Sequence, residues 1–238
     1  MSSTKHPGIS TGLYLISATK YIRKKCILKN ISLSLYPGRP TAIIGENGSG
    51  KTTLANLLSG YWHTTQGERK FNGIQPCKVS YLFQSTFLDQ HLSIENCLEI
   101  IALMKGLKKQ GYILDMMKKI ACIFDVELNK KSKIKSLSEG QKRMLEFCIA
   151  TDPACDLLLL DEPTTHLDVN AKDCAIAWLH EILNQFNGIA IICTHDADEF
   201  SLCSDFVFLS QNSIQKHDNI KKRSYKEIFS LCKAELVK

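Results

Sequence analysis

Three short stretches carry residue types that could do chemistry: "GENGSGKTT" (Gly45–Thr53), "LLLLDE" (Leu157–Glu162) and "IAIICTHD" (Ile189–Asp196). The first has the pattern GxxxxGK[ST], with a strand signal before it and a helix signal after it. Its glycines let backbone N–H groups turn inward around a polyphosphate, and the helix N-terminus adds its positive end. Gly45, Glu46, Asn47, Gly48, Ser49 and Gly50 would form the cradle, with Thr53 closing it. Lys51 would reach the β- and γ-phosphates, and the Thr52 hydroxyl would ligate Mg²⁺. A nucleoside triphosphate is the expected ligand. The pattern does not say what the energy drives.

In "LLLLDE" the most apolar segment ends in two carboxylates. Burying charge is costly unless it is paired or binds a metal. In P-loop proteins a strand of this form runs beside the P-loop strand and supplies a Mg²⁺ contact, which assigns Asp161 to the metal. Glu162, the next residue, points elsewhere. It suits a general base that polarises the water attacking the γ-phosphate.

These residues need a frame. "GLYLISA" and "CILKNISLSLY" read as strands, the second with Ile27, Ile31, Leu33 and Leu35 mostly alternating. "TAIIG" reads as a buried strand, "KTTLANLLSGY" as a helix and "KVSYLF" (Lys78–Phe83) as another strand. Strand signals then vanish: "IENCLEIIALMKGL" and "GYILDMMKKIACIF" have helical spacing. They predict a helical subdomain, about 94–135, inserted in an α/β core. Next come helix 140–151, strand 156–161, helix 169–186, strand 188–193, helix 196–203 and strand 205–210. This alternation predicts a mostly parallel sheet flanked by helices. "RSYKEIFSLCKAELVK" predicts a peripheral helix. The whole chain, 1–238, reads as one domain.

Together the motifs resemble the nucleotide-binding domain of ABC (ATP-binding cassette) proteins over almost the whole length. "LSEGQKR" (Leu137–Arg143) looks like the family's LSGGQ signature, with Glu139 where glycine is common. The resemblance implies that Ser138, Gly140 and Gln141 form a second anion site, facing the γ-phosphate held by another protomer. Read alone, the stretch is also a helix start with Ser138 near the N-cap. Gln84 in "YLFQ" takes the Q-loop position, implying contact with Mg²⁺ or water and with a membrane partner. His195 takes the place of the switch histidine that contacts the γ-phosphate, and "THLD" resembles the D-loop, placing Asp168 at a protomer boundary. Tyr21 looks like the aromatic that stacks on adenine, a structural tyrosine being the alternative. Only 33 residues (84 − 51) lead from Lys51 to Gln84. That leaves room for a trimmed, small N-terminal antiparallel β subdomain.

The composition, 44% hydrophobic and 23% charged, excludes disorder and coiled coil. No apolar run approaches the roughly 18–20 residues of a membrane span, and "MSSTKHPGIS" lacks a signal-peptide core. The 10 cysteines show no CxxC or metal spacing and read as reduced core residues. A cytoplasmic location is expected, peripheral on the cytoplasmic face of the inner or plasma membrane as the resemblance implies. The net charge is +6, with basic clusters at Arg23–Lys25, Lys130–Lys135 and Lys221–Arg223. No aromatics interleave them, so solvated surface is expected and specific nucleic-acid binding is not. The reading is an ATP- and Mg²⁺-dependent hydrolase subunit, pairing with itself or a similar chain and with separate transmembrane permease subunits. A soluble ATPase of this family acting in translation or DNA repair is the alternative, and a nucleotide-gated binding module a third. No NKxD-type guanine reader is present.

Overall fold

The computed structural model describes residues 11–73, 78–152, 154–219, 225–228 and 230. The chain divides into two compact units. The first holds residues 1–81, 154–161 and 183–238; the second holds 82–153 and 162–182.

The first unit is built on two sheets. In the smaller one, β1 (Gly12–Ile22) is central, with β2 (Lys25–Leu35) and β4 (Gln66–Asn72) antiparallel on either side. β4 supplies the third strand of the trimmed β subdomain. The larger sheet has the order β5-β6-β7-β3-β8-β9, comprising β3 (Thr41–Gly45), β5 (Val79–Leu82), β6 (Leu157–Asp161), β7 (Ile189–Cys193), β8 (Asp205–Ser210) and β9 (Ser213–Asn219). β6, β7, β3 and β8 run parallel, and β9 is antiparallel to β8. Every residue of β3, β6, β7 and β8 is buried. Such unbroken apolar runs are what a parallel sheet covered on both faces requires. Helix α1 (Lys51–Ser59) adds Leu54, Leu57 and Leu58 to a core shared with Leu157, Leu159 and Ile191.

The parallel strands correct one expectation. β6 does not run beside the P-loop strand: it pairs with β7, and β7 pairs with β3. The ends still align, since Asp161 and Ile43 both oppose Cys193. β2 differs in detail as well. Asn30 has a left-handed backbone (φ 50), and the register with β1 shifts there. Leu28, fully buried, therefore takes the inward place expected of Ile27. β9 was not expected. It is entered through Gln211 and Asn212, both at positive φ (47 and 64), a two-residue turn without the usual Asn-Gly signal. The basic run at Arg23 and Lys24 is a hairpin turn of the same kind (φ 45 and 68). Helix α6 (Ala197–Ser201) is capped by Asp196, which accepts from the Asp198 and Glu199 amides. The described residues 225–228 and 230 are helical; the rest of the expected C-terminal helix, and the cluster Lys221–Arg223, lie outside the described residues.

The second unit is helical: α2 (Ile94–Met104), α3 (Lys109–Phe124), α4 (Glu139–Ala150) and most of α5 (Val169–Gln185). Ser93 caps α2. Lys130 and Glu95, 2.7 Å apart, tie the segment's beginning to its return. Inside, Phe124 meets Phe147 edge-on, ring centroids 5.7 Å apart, and Lys119 closes the C-terminal end of α4 by donating to the carbonyls of Cys148 and Thr151.

Candidate functional site

The first unit carries the expected phosphate cradle. β3 is sealed on both faces, so the chain leaves it at Gly45 in one place only. A Cβ there would stand 2.2 Å from the Leu209 carbonyl oxygen and 2.8 Å from Ser49 Oγ, so glycine is required. Gly50, at φ 103, is the N-cap of α1 and gives the helix no side-chain cap. The first-turn amides of α1 are therefore available to an anion. Lys51, buried, donates to the carbonyls of Gly45 (3.0 Å) and Glu46 (3.2 Å), spanning its own loop. Glu46, Asn47, Gly48 and Thr52 are exposed, whereas Thr53 is buried. Ser49 Oγ is buried and makes no hydrogen bond among the described residues, a polar atom left for a ligand.

Asp161 ends β6 at 1% exposure. Burial and the Asp161 charge together push the neighbouring Tyr81 phenol well above its ordinary range, so that hydroxyl stays protonated. Among the described residues no three acidic, histidine or cysteine side chains converge as a metal cage. A single carboxylate and the Thr52 hydroxyl are both oxygen donors. They fit Mg²⁺, which takes one or two protein oxygens and completes its shell with water and substrate phosphates. His195 lies just past β7, exposed. Tyr21, near the end of β1, is 43% exposed, and its amide donates to Thr65 Oγ1.

The second unit carries Glu162 and the residues expected at the signature, and the division between units falls between Asp161 and Glu162. Glu162 has a left-handed backbone (φ 50). A non-glycine residue there is strained, and such strain concentrates where function over-determines geometry. Its Oε2 accepts from Gln84 Nε2 (3.4 Å) and Thr165 Oγ1 (3.4 Å). The structure thus brings Gln84 to the carboxylate. Its surroundings are set from helix α4, where the buried Arg143 donates to the carbonyls of Phe83, Glu162 and Pro163.

Ser138, Gly140 and Gln141 open α4. Ser138 Oγ accepts from the Gln141 amide (3.1 Å), and the Gln141 side chain accepts from the Ser138 amide (3.1 Å). This is a capping box, satisfying two end amides reciprocally. The helix-start alternative for "LSEGQ" is therefore realised in the fold. Glu139 is exposed and held by Lys142 at 2.7 Å, which pulls its carboxyl below the ordinary range. Asp168 Oδ1 accepts from the Ala171 amide and starts α5. A pocket of about 180 Å³ is lined by Gln84, Thr86, Lys142, Arg143, Glu146 and His166, among others. Sequence reasoning missed Arg143, Glu146 and Thr165. Two opposite charges three apart in the run "KRMLEFCIA" were the available signal.

A family model for ABC transporters matches residues 28–165. The human cholesterol transporter ABCA5 is 31% identical over 188 residues, 75% of this chain and 11% of that protein. The energy-dependent translational throttle protein EttA of Escherichia coli K12 is 30% identical over 208 residues, 73% of this chain and 36% of that protein. The chain thus spans well under half the length of these relatives. Among solved structures, an ATP-binding subunit of an ABC transporter superposes with TM-score 0.81 at 20% identity, covering 94% of this chain and 100% of that one. A dimeric ATP-binding cassette in a post-hydrolysis state, bound to ADP and Pi, superposes with TM-score 0.76 at 20% identity, covering 88% and 99%. These two establish the fold. With the family model matching more than half its length, the chain belongs to the ABC transporter family, as an ATP-binding cassette.

Proposed function

We propose that this chain binds and hydrolyses ATP with Mg²⁺ and powers transport through separate membrane subunits. The observation that carries the hydrolytic part is Glu162. It follows a buried Asp161, holds a left-handed backbone, and has its carboxylate steadied by Gln84 and Thr165. Lys51 and the open N-terminus of α1 would hold the β- and γ-phosphates, Thr52 and Asp161 would hold the metal, and Glu162 would accept the proton of the attacking water. Mg²⁺, when bound, neutralises charge that develops on the phosphate oxygens. His195 steadies the γ-phosphate and Tyr21 stacks on the base. Ser138, Gly140 and Gln141 of a second cassette, with Asp168 at the boundary, complete the site. Hence the working unit is a dimer, of this chain or of this chain with a similar one. Gln84 and the helical unit form the membrane-partner side.

Glu162→Gln tests the base. General-base catalysis contributes typically about 10²–10⁴-fold, so turnover should fall by that much while ATP binding persists and the dimer is trapped. Turnover at the wild-type rate would remove Glu162 from the mechanism. Transport coupling is tested by purification in mild detergent, where a membrane protein should accompany the chain. The likeness to a translational throttle protein favours a second reading, a ribosome-associated ATPase. Among the described residues no helix is long and apolar enough to cross a membrane. Recovery with ribosomes and without a membrane protein would select the second.

A further inference from the structure

Helix α4 carries more than the signature at its start. One turn further in, Arg143 and Glu146 are 3% and 2% exposed within an apolar run. The Arg143 guanidinium donates from Nη2 to the Glu162 carbonyl (2.6 Å), from Nε to the Pro163 carbonyl (3.2 Å) and from Nη1 to the Phe83 carbonyl (2.7 Å). Glu146 Oε2 lies 3.6 Å from Arg143 Nη1. Its other oxygen accepts from the Thr86 hydroxyl and the Phe87 amide. These contacts grip the chain on both sides of Gln84 and at Glu162 itself.

Stability alone does not account for such a pair, because burying two charges costs about what their attraction returns. Geometry does. A guanidinium presents its donors in a rigid planar fork, so it fixes the spacing of the carbonyls it binds, which a flexible amine cannot. One of those carbonyls belongs to Glu162, whose left-handed backbone must be imposed by its surroundings.

We infer that Arg143 is a positioning residue: through the carbonyls of Phe83, Glu162 and Pro163 it holds the proposed general base and Gln84 in register with the signature helix. A shift at Ser138–Gln141 is then felt at the same chain's Glu162. This rests on the reading of Glu162 as the general base.

The test is steady-state ATP turnover, equilibrium ATP titration and thermal melting of the full chain carrying Arg143→Gln, Arg143→Lys, Lys119→Met or Glu162→Gln. Arg143→Gln should lower kcat about 10²-fold, as misplacement of about 1 Å does, and change the ATP Kd less than about 3-fold. Arg143→Lys keeps the charge opposite Glu146 but not the fork, and should lose about 10-fold in kcat. Lys119→Met is the control. It loosens the other end of the same helix, so it should lower Tm and leave kcat within about 2-fold. Combined with Glu162→Gln, Arg143→Gln should add less than about 2-fold, because it acts through that carboxylate. Wild-type kcat in Arg143→Gln would overturn the inference. So would a kcat loss in Lys119→Met of equal size at equal Tm, or full additivity in the double variant. Should Arg143→Gln not fold, Arg143→Lys against Lys119→Met decides on the same criteria. Wild-type turnover in Glu162→Gln marks failure of the general-base reading instead, and the inference falls with it.

Discussion

Helices α1 and α4 both begin at a glycine-containing motif, yet their N-termini are finished in opposite ways. α1 starts at Gly50, in a left-handed conformation and without a side-chain cap. α4 starts at Ser138, closed by a reciprocal capping box with Gln141. An uncapped first turn has all its amides to offer an anion, whereas a capping box has already used two. On the proposed function, the difference separates a standing phosphate site from a conditional one. α1 is ready in the isolated chain. To bind a second nucleotide as proposed, the signature would redirect Ser138 or Gln141, or use other amides of the same turn.

The largest effects should fall on opposite sides of this division. Lys51→Met should weaken ATP binding by about 10²-fold, since a charged donor to the phosphates is lost. Glu162→Gln should spare binding and remove turnover. Equilibrium titration beside steady-state turnover reads the two separately. If both variants lost binding alike, grip and catalysis would not be divided between the two units as proposed.

Next in size is the cradle's backbone. Gly45→Ala places a methyl against the Leu209 carbonyl and Ser49 Oγ. The strain should cost about 3 kcal/mol, a Tm fall of roughly 6–12 °C, together with ATP affinity. A stable Gly45→Ala that binds ATP normally would show that the β3–α1 corner is less constrained than its contacts imply.

The difference between the two helices also shows what a sequence exposes. The cradle was legible because its determinants are local: glycines at fixed offsets, a lysine and a hydroxyl. So were the buried strands, whose apolar runs need no partner to be recognised. Three things were hidden. Strand order is one, since "LLLLD" carries no mark that β7 separates it from β3. The β8–β9 hairpin is another: Gln211 and Asn212 adopt positive φ without a glycine to announce it. The bonds of Arg143 are the third, because they join residues 60, 20 and 19 positions apart and end on backbone carbonyls. Local pattern carries chemistry that one segment performs alone; assembly by long-range hydrogen bonds leaves only a buried charge out of place.

Ser138 gives the smallest effect on stability and the sharpest test of the comparison. If it serves only as a cap, Ser138→Ala should cost about 1 kcal/mol, or roughly 2–4 °C in Tm, and leave turnover in place. The proposed second role predicts a turnover loss as well, with ATP affinity of the isolated chain unchanged. Ser138→Asp separates the two roles. Aspartate caps as well as serine and its charge suits a helix N-terminus, so Tm should hold or rise. A carboxylate facing the γ-phosphate of a second subunit repels it, so turnover should be lost. Retained turnover in a stable Ser138→Asp would reduce the signature's serine to a helix cap and move the second anion site to the amides alone.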